Sequence, residues 1–153
     1  MSVGSLYQYF PDKAAIFAEL IRQAETGLGD MLGKLLAETA GQSLEDCLKP
    51  LVKAGVAQQM ARPQLGRILD NLEATFPADA YLKAAEERIL RLIMQLLNEH
   101  EEGIARPVTP ATALDVLSIV KGIVDGASFA GETNAAALER RVMFAVLGYL
   151  KQP

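Results

Sequence analysis

Between Lys13 and Glu38, apolar side chains return every three or four positions: Ile16, Phe17, Leu20, Ile21, Ala24, Leu28, Met31, Leu32, Leu35 and Leu36. That spacing is the period of an α-helix with one apolar face. A helix of about 26 residues is a rod of roughly 40 Å, at 1.5 Å of rise per residue. A striped rod of that length cannot close a core alone, so other helices must lie against it. Gly27, Gly29 and Gly33 fall inside it, each costing up to about 1 kcal/mol relative to Ala. They mark a bend, a close contact with another helix, or fraying.

The same period continues downstream. Thr39 to Ser43 is a loop, and Ser43 with Asp46 three residues on is a variant of the capping box. Leu44, Leu48, Leu51, Val52, Gly55, Val56 and Gln59 make the next stripe. Pro50 interrupts it and should kink the helix, because it removes a backbone donor and crowds the preceding turn. Arg62-Pro63 restarts a short helix with Leu65, Ile68, Leu69, Leu72 and Phe76 on one side. Pro77-Ala78-Asp79 opens another, running to about Glu102. Gly103 to Pro110 is a linker, after which Thr109 as N-cap and Pro110 at the first helical position start a helix to about Ala130. The last helix runs from about Ala135 to Leu150. No stretch alternates as a strand, so the expected fold class is all-α.

With 153 residues the chain is one domain by length and large enough to bury a core. Half of it is apolar, yet no apolar run reaches the ~20 residues of a membrane helix. Met1 is not followed by a basic and then apolar leader, so no secretory signal is expected. The single Cys47 excludes an internal disulfide framework, suits a reducing cytoplasm, and reads as a small core residue rather than a sensor thiol. A net charge of −4 argues that most of the chain does something other than contact nucleic acid. Ligand-spaced His, Cys and carboxylates, a phosphate-binding glycine loop and a nucleophile elbow are all missing from the sequence. Neither enzymatic activity nor a metal or cofactor is expected.

The last two helices carry unusually broad apolar arcs. In the penultimate one Val116, Leu117, Ile119, Val120, Ile123, Val124 and Ala127 share an arc, beside a ridge of small residues, Ser118, Gly122, Gly126 and Ala130. In the last, Leu138, Val142, Met143, Ala145, Val146, Leu147, Tyr149 and Leu150 cover about half the circumference. Such arcs exceed what one neighbour needs, and a small-residue ridge admits a close helix. A homodimer follows as the expectation, with Val116, Val120, Gly122, Ile123, Gly126, Val142, Val146 and Tyr149 at its interface. The alternative is that both arcs are satisfied within one chain.

At the N-terminus, Ser2-Val3-Gly4-Ser5-Leu6-Tyr7-Gln8-Tyr9-Phe10 is followed by Pro11-Asp12-Lys13. Ser2 can cap a short helix over Val3 to Phe10, with Leu6 and Phe10 on one face and Asp12 capping the long helix. This run resembles the recognition helix and following helix start of the TetR-type bacterial transcriptional regulators. The resemblance implies a helix-turn-helix remnant at residues 1–13 and an effector-binding and dimerisation domain at 14–153. Operator contacts would come from Ser2, Gly4, Ser5, Tyr7, Tyr9 and Lys13, with the phenols and the ammonium on phosphates. The chain begins about where the turn would end, so about 25 residues of helix-turn-helix are expected to be missing, and weak operator binding by this chain alone is the expectation.

The resemblance also implies an apolar pocket for a small, neutral, apolar effector among the middle helices. Phe17, Met60, Phe76, Tyr81, Met94 and Phe129 are the candidate liners, with Gln59 or His100 as an orienting polar group. Core packing is the alternative for each, and His100, between Glu99 and Glu101, also reads as solvated. Lys121 and Asp125 read as a surface ion pair. The function implied is a ligand-responsive repressor. The alternative is a helical ligand-binding dimer that stands alone or blocks full-length relatives.

Overall fold

The computed structural model describes residues 13–61 and 80–153. Among these residues the chain is helical, with no strand. Helix α1 spans Lys13–Glu38, α2 Leu44–Ala61, α3 Ala80–Glu99, α4 Pro110–Phe129 and α5 Ala135–Lys151. The fold class is all-α, as the periodicity requires. Helix α3 ends earlier than expected, and a single 3-10 turn at Glu101–Gly103 follows it. The helix expected over Val3 to Phe10 and the short one after Pro63 lie outside the described residues.

Polar caps set several helix starts. The Ser43 hydroxyl accepts from the Asp46 amide at 3.2 Å and donates to the Asp46 carboxylate at 2.8 Å. Thr109 and Thr112 form a complete capping box, with Pro110 in the first turn. Asn134 Oδ1 accepts from the Ala137 amide at 3.0 Å and opens α5. Helix α2 passes through Pro50 without ending. Cys47 and Leu48 before it, and Val52 and Val56 after it, are buried in one core, which anchors the helix on both sides of the proline.

Helix α1 packs on α2 and α3, α3 on α4, α2 on α4 and α5, and α4 on α5. Gly29 of α1 meets Arg88 of α3, and Gly33 meets Leu92, so these two helices run in the same direction. A Cβ on Gly29 would come within 3.3 Å of the Arg88 side chain, whereas one on Gly27 would meet nothing. Close helix contact is therefore the role of Gly29, whereas a Cβ on Gly33 would sit at an ordinary 3.8 Å from Leu92. The Arg88 guanidinium also donates to Asp30 at 2.5 Å across the same contact.

Two polar staples close the end where α1 turns into α2. His100 is half-buried: its Nε2 lies 2.9 Å from the Gln42 carbonyl and its Nδ1 2.8 Å from that of Leu96. The expectation of a solvated His100 is thereby corrected, because the turn at Gln42 folds back over the end of α3. Beside it Cys47, 1% exposed, donates to the Thr39 carbonyl at 3.3 Å, as a core thiol does. At the same end the linker after α3 crosses α5. The Ala105 amide donates to the Leu150 carbonyl, and Arg106 donates to the carbonyls of Tyr149 and Gln152 while stacking 3.7 Å over the Tyr149 ring.

Candidate functional site: a cavity among α1, α2, α3 and α4

The four helices do not close completely on one another. Between them lies a cavity of about 680 Å³, within the range of small-molecule sites. Leu28, Leu32 and Leu36 of α1 form one wall, and Leu48, Leu51, Val52 and Gly55 of α2 another. Helix α3 adds Ile89, Leu92, Ile93, Leu96 and Leu97, and α4 adds Val116, Leu117, Val120 and Val124. These are the broad apolar arcs of the sequence, and several of the liners, such as Leu36, Leu48, Leu97 and Val116, are at the same time buried core residues. Gly55 keeps volume open, since a Cβ there would meet no atom within 4 Å.

The polar liners gather at one end. On α2 Gln58 and Gln59 come after the apolar liners, and on α3 Lys83 and Glu86 come before them. The two helices approach with the start of α2 beside the end of α3, as the contact of Gln42 with His100 requires. Both polar pairs therefore share the far end. There Gln59 Nε2 donates to Asp125 Oδ1 of α4 at 3.5 Å, and Lys121 lines the same region one helical turn earlier. Lys83, Glu86 and Lys121 are exposed, so this end is the mouth, whereas Asp125 and Gln59 are half-buried. The opposite end, around Leu36, Leu48 and Leu97, is dry and lies under the His100 staple.

Of the expected liners, Gln59 is placed in the cavity wall. Met60 and Met94 instead pack against the core from its edges. Phe129 is 81% exposed and outside the cavity, because it is the last residue of α4 and lies beyond the mouth. Phe76 lies outside the described residues, as do the side chains of Phe17 and Tyr81. His100 belongs to the staple rather than to the cavity. Lys121 and Asp125 border the cavity, a role that a surface-pair reading missed. Their i, i+4 spacing alone could not reveal it, but Gln59 on an apolar stripe was a usable signal.

The residues expected at a dimer interface divide in two. Val116, Val142 and Val146 are buried inside the chain at 4%, 0% and 0% exposure. They form the chain's own core, since α4 and α5 spend the centres of their arcs on each other and on α2. Val120 and Ile123 are half-buried, as is Tyr149, whose hydroxyl donates to Asp115 at 2.5 Å. That bond pushes the Tyr149 hydroxyl above its ordinary pKa. Gly122 and Gly126 are exposed, and a Cβ on either would meet nothing within the chain. Ser2, Gly4, Ser5, Tyr7 and Tyr9 lie outside the described residues, as does the side chain of Lys13, the first residue of α1.

No helix among the described residues is long and apolar enough to cross a membrane. No curated protein matches the chain. A family model described as the tetracyclin repressor-like, C-terminal domain matches residues 43–150, from the cap of α2 to the last turn of α5. Spanning well over half of the chain, with α2, α3 and α4 of the cavity wall inside it and α1 before it, that match shows that the chain belongs to the tetracycline repressor-like family of regulators.

Proposed function

We propose that this chain is a ligand-responsive transcriptional repressor in which a small apolar effector, bound in the cavity, controls operator binding. The observation that carries the reading is the double position of α1. Its Leu28, Leu32 and Leu36 form a cavity wall, and the helix continues unbroken back to Lys13. Lys13 adjoins the stretch that resembles a recognition helix, whose Ser2, Gly4, Ser5, Tyr7 and Tyr9 would contact operator together with Lys13. Residues 1–13 thus belong to the DNA-binding part, and 14–153 to effector binding and dimerisation. A ligand that fits one position of α1 better than another shifts the population of recognition-helix positions.

The repressor acts as a homodimer, since two half-sites one helical turn apart need two recognition helices. Support comes from the outer faces of α4 and α5. Phe144 is 83% exposed and Leu114 47%, and the ridge of Ser118, Gly122 and Gly126 is exposed beside them. Half-buried Ile123 and Tyr149 flank that face, whereas Val120 lines the cavity. A buried free Cys47 suits a cytoplasmic protein.

Because this chain alone is expected to bind operator weakly, the test is to select DNA from random duplexes with the protein produced from its native gene, and to find cavity ligands by thermal shift. A ligand that raises the melting temperature is expected to change DNA affinity by about fivefold or more. Saturating ligand with unchanged DNA affinity would sink the coupling. Ligand binding without any enriched DNA would favour a ligand-binding dimer that acts through full-length relatives.

A further inference from the structure

We infer that His100 is a proton-operated latch: its doubly protonated ring holds the turn between α1 and α2 onto the end of α3, and loss of one proton releases that turn. Both ring nitrogens face carbonyl oxygens, Nδ1 at 2.8 Å from that of Leu96 and Nε2 at 2.9 Å from that of Gln42. A carbonyl only accepts, and a neutral imidazole carries one N–H, so the imidazolium alone satisfies both contacts. Each carbonyl depends on the ring. The His100 amide bonds to Leu97 at 3.2 Å rather than to Leu96, which leaves the Leu96 carbonyl of the helix end to Nδ1. Among the described residues, the other donor near the Gln42 carbonyl is the Cys47 thiol, at a long 3.8 Å.

The surroundings suit a cation. His100 directly follows α3, so a positive ring meets the negative end of that helix dipole. The charged and titratable neighbours are few. Helix α3 contributes Glu99, which takes a bond from Gln95, and the next turn contributes the exposed Glu101 and Glu102. Helix α1 ends on Glu38, paired with Lys34, and α2 contributes Cys47, whose Sγ lies 3.7 Å from Nε2. Among the described residues the polar contacts of the ring are Leu96, Gln42 and Cys47, and no carboxylate pairs with it. In the neutral ring Nδ1–H keeps the Leu96 carbonyl, while Nε2 meets the Gln42 oxygen lone pair to lone pair. The thiol proton of Cys47 otherwise serves the Thr39 carbonyl at 3.3 Å, so turning it to Nε2 takes a further bond from the same turn. Gly41 and Gln42 are exposed, and the released carbonyl finds water. Thr39 and His100 each lie three residues beyond a leucine of the dry cavity end, Leu36 and Leu97, so the proton sets how firmly that end is closed.

His100 is the single histidine of the chain, so its ring nitrogens give the sole imidazole signals in long-range proton–nitrogen NMR of the full chain. The titration runs from about pH 5 to about pH 8, a range in which imidazole changes charge. At the acid end both nitrogens are expected to carry protons. As one proton leaves, the Gln42 amide, bonded to the Thr39 carbonyl at 3.0 Å, should lose about tenfold of its exchange protection after correction for base catalysis, while α4 and α5 keep theirs. In His100→Gln a side-chain amide donates without titrating, and the protection of Gln42 should stay level with pH. In Cys47→Ala the pH dependence should persist. Should His100→Gln fail to fold, the ring and Gln42 signals of the unaltered chain decide alone. A ring of constant charge across the range, or a ring that titrates while Gln42 stays level, overturns the latch. So does pH dependence that survives in His100→Gln or vanishes in Cys47→Ala.

Discussion

Ser43 does two jobs at the start of α2. Its hydroxyl oxygen satisfies the Asp46 amide, one of the donors that a helix start leaves without a partner, and its proton goes to the Asp46 carboxylate. The bond from Ser43, then that from Lys49, lowers the Asp46 pKa below its ordinary 3.8. Glu45 and Asp46 in turn raise that of Lys49. Ser43→Ala should cost about 1 kcal/mol at neutral pH, read by urea unfolding. A carboxylate with a lowered folded pKa contributes stability above its unfolded value and loses it as pH falls through the folded one. The destabilisation caused by Ser43→Ala should therefore shrink in acid, below the ordinary aspartate range, as the carboxylate component fades. The caps at Ser43, Thr109 and Pro110 were legible because all their partners lie within one turn. The role of His100 was not, since the Gln42 carbonyl comes from 58 residues away.

Elements are joined here by short chain segments that satisfy the ends of their neighbours. The carbonyls in the last turn of α5 lack intrahelical partners. Arg106 supplies a donor to one of them, at Tyr149, and a second to the Gln152 carbonyl just past the helix, and its positive charge sits at the negative end of the helix dipole. Arg106→Ala should release this clasp, costing about 1–2 kcal/mol for the charge-assisted bonds and the stacking on Tyr149. The check is amide exchange, which should speed up over the last turn of α5 while α1 and α3 keep their protection. Unchanged exchange there would refute the clasp. The helix ends themselves were readable from local sequence, α1 from Lys13 to Glu38 and the start of α4 at Pro110. That α2 continues through Pro50 was less legible, because only the lost donor is local, whereas the burial of Leu48 and Val52 on either side of it is tertiary.

At the scale of the whole molecule, two aromatic rings among the described residues stand out from the bundle: Phe129 at the end of α4 and Phe144 on the outer side of α5, opposite its buried stripe of Leu138, Val142, Val146 and Leu150. If the proposed dimer forms on this face, Phe144→Asp should weaken self-association by about tenfold or more, measured by analytical ultracentrifugation. Its melting temperature at high dilution should change little, because Phe144 adds nothing to the monomer core. A wild-type chain that stays monomeric at micromolar concentration would remove the dimer altogether. By itself the sequence determined the helices, their caps and the existence of apolar arcs too broad for one partner. Those features depend on spacing along the chain, which 3.6 residues per turn converts directly into faces. Only the tertiary structure decided how each arc is divided, with Val142 and Val146 in the core, Leu32 and Val120 on the cavity, and Gly122 and Gly126 in solvent. That division depends on which helices meet and how closely. Contacts such as Gly29 with Arg88 and Gln59 with Asp125 join residues far apart in the chain, and no local period encodes them.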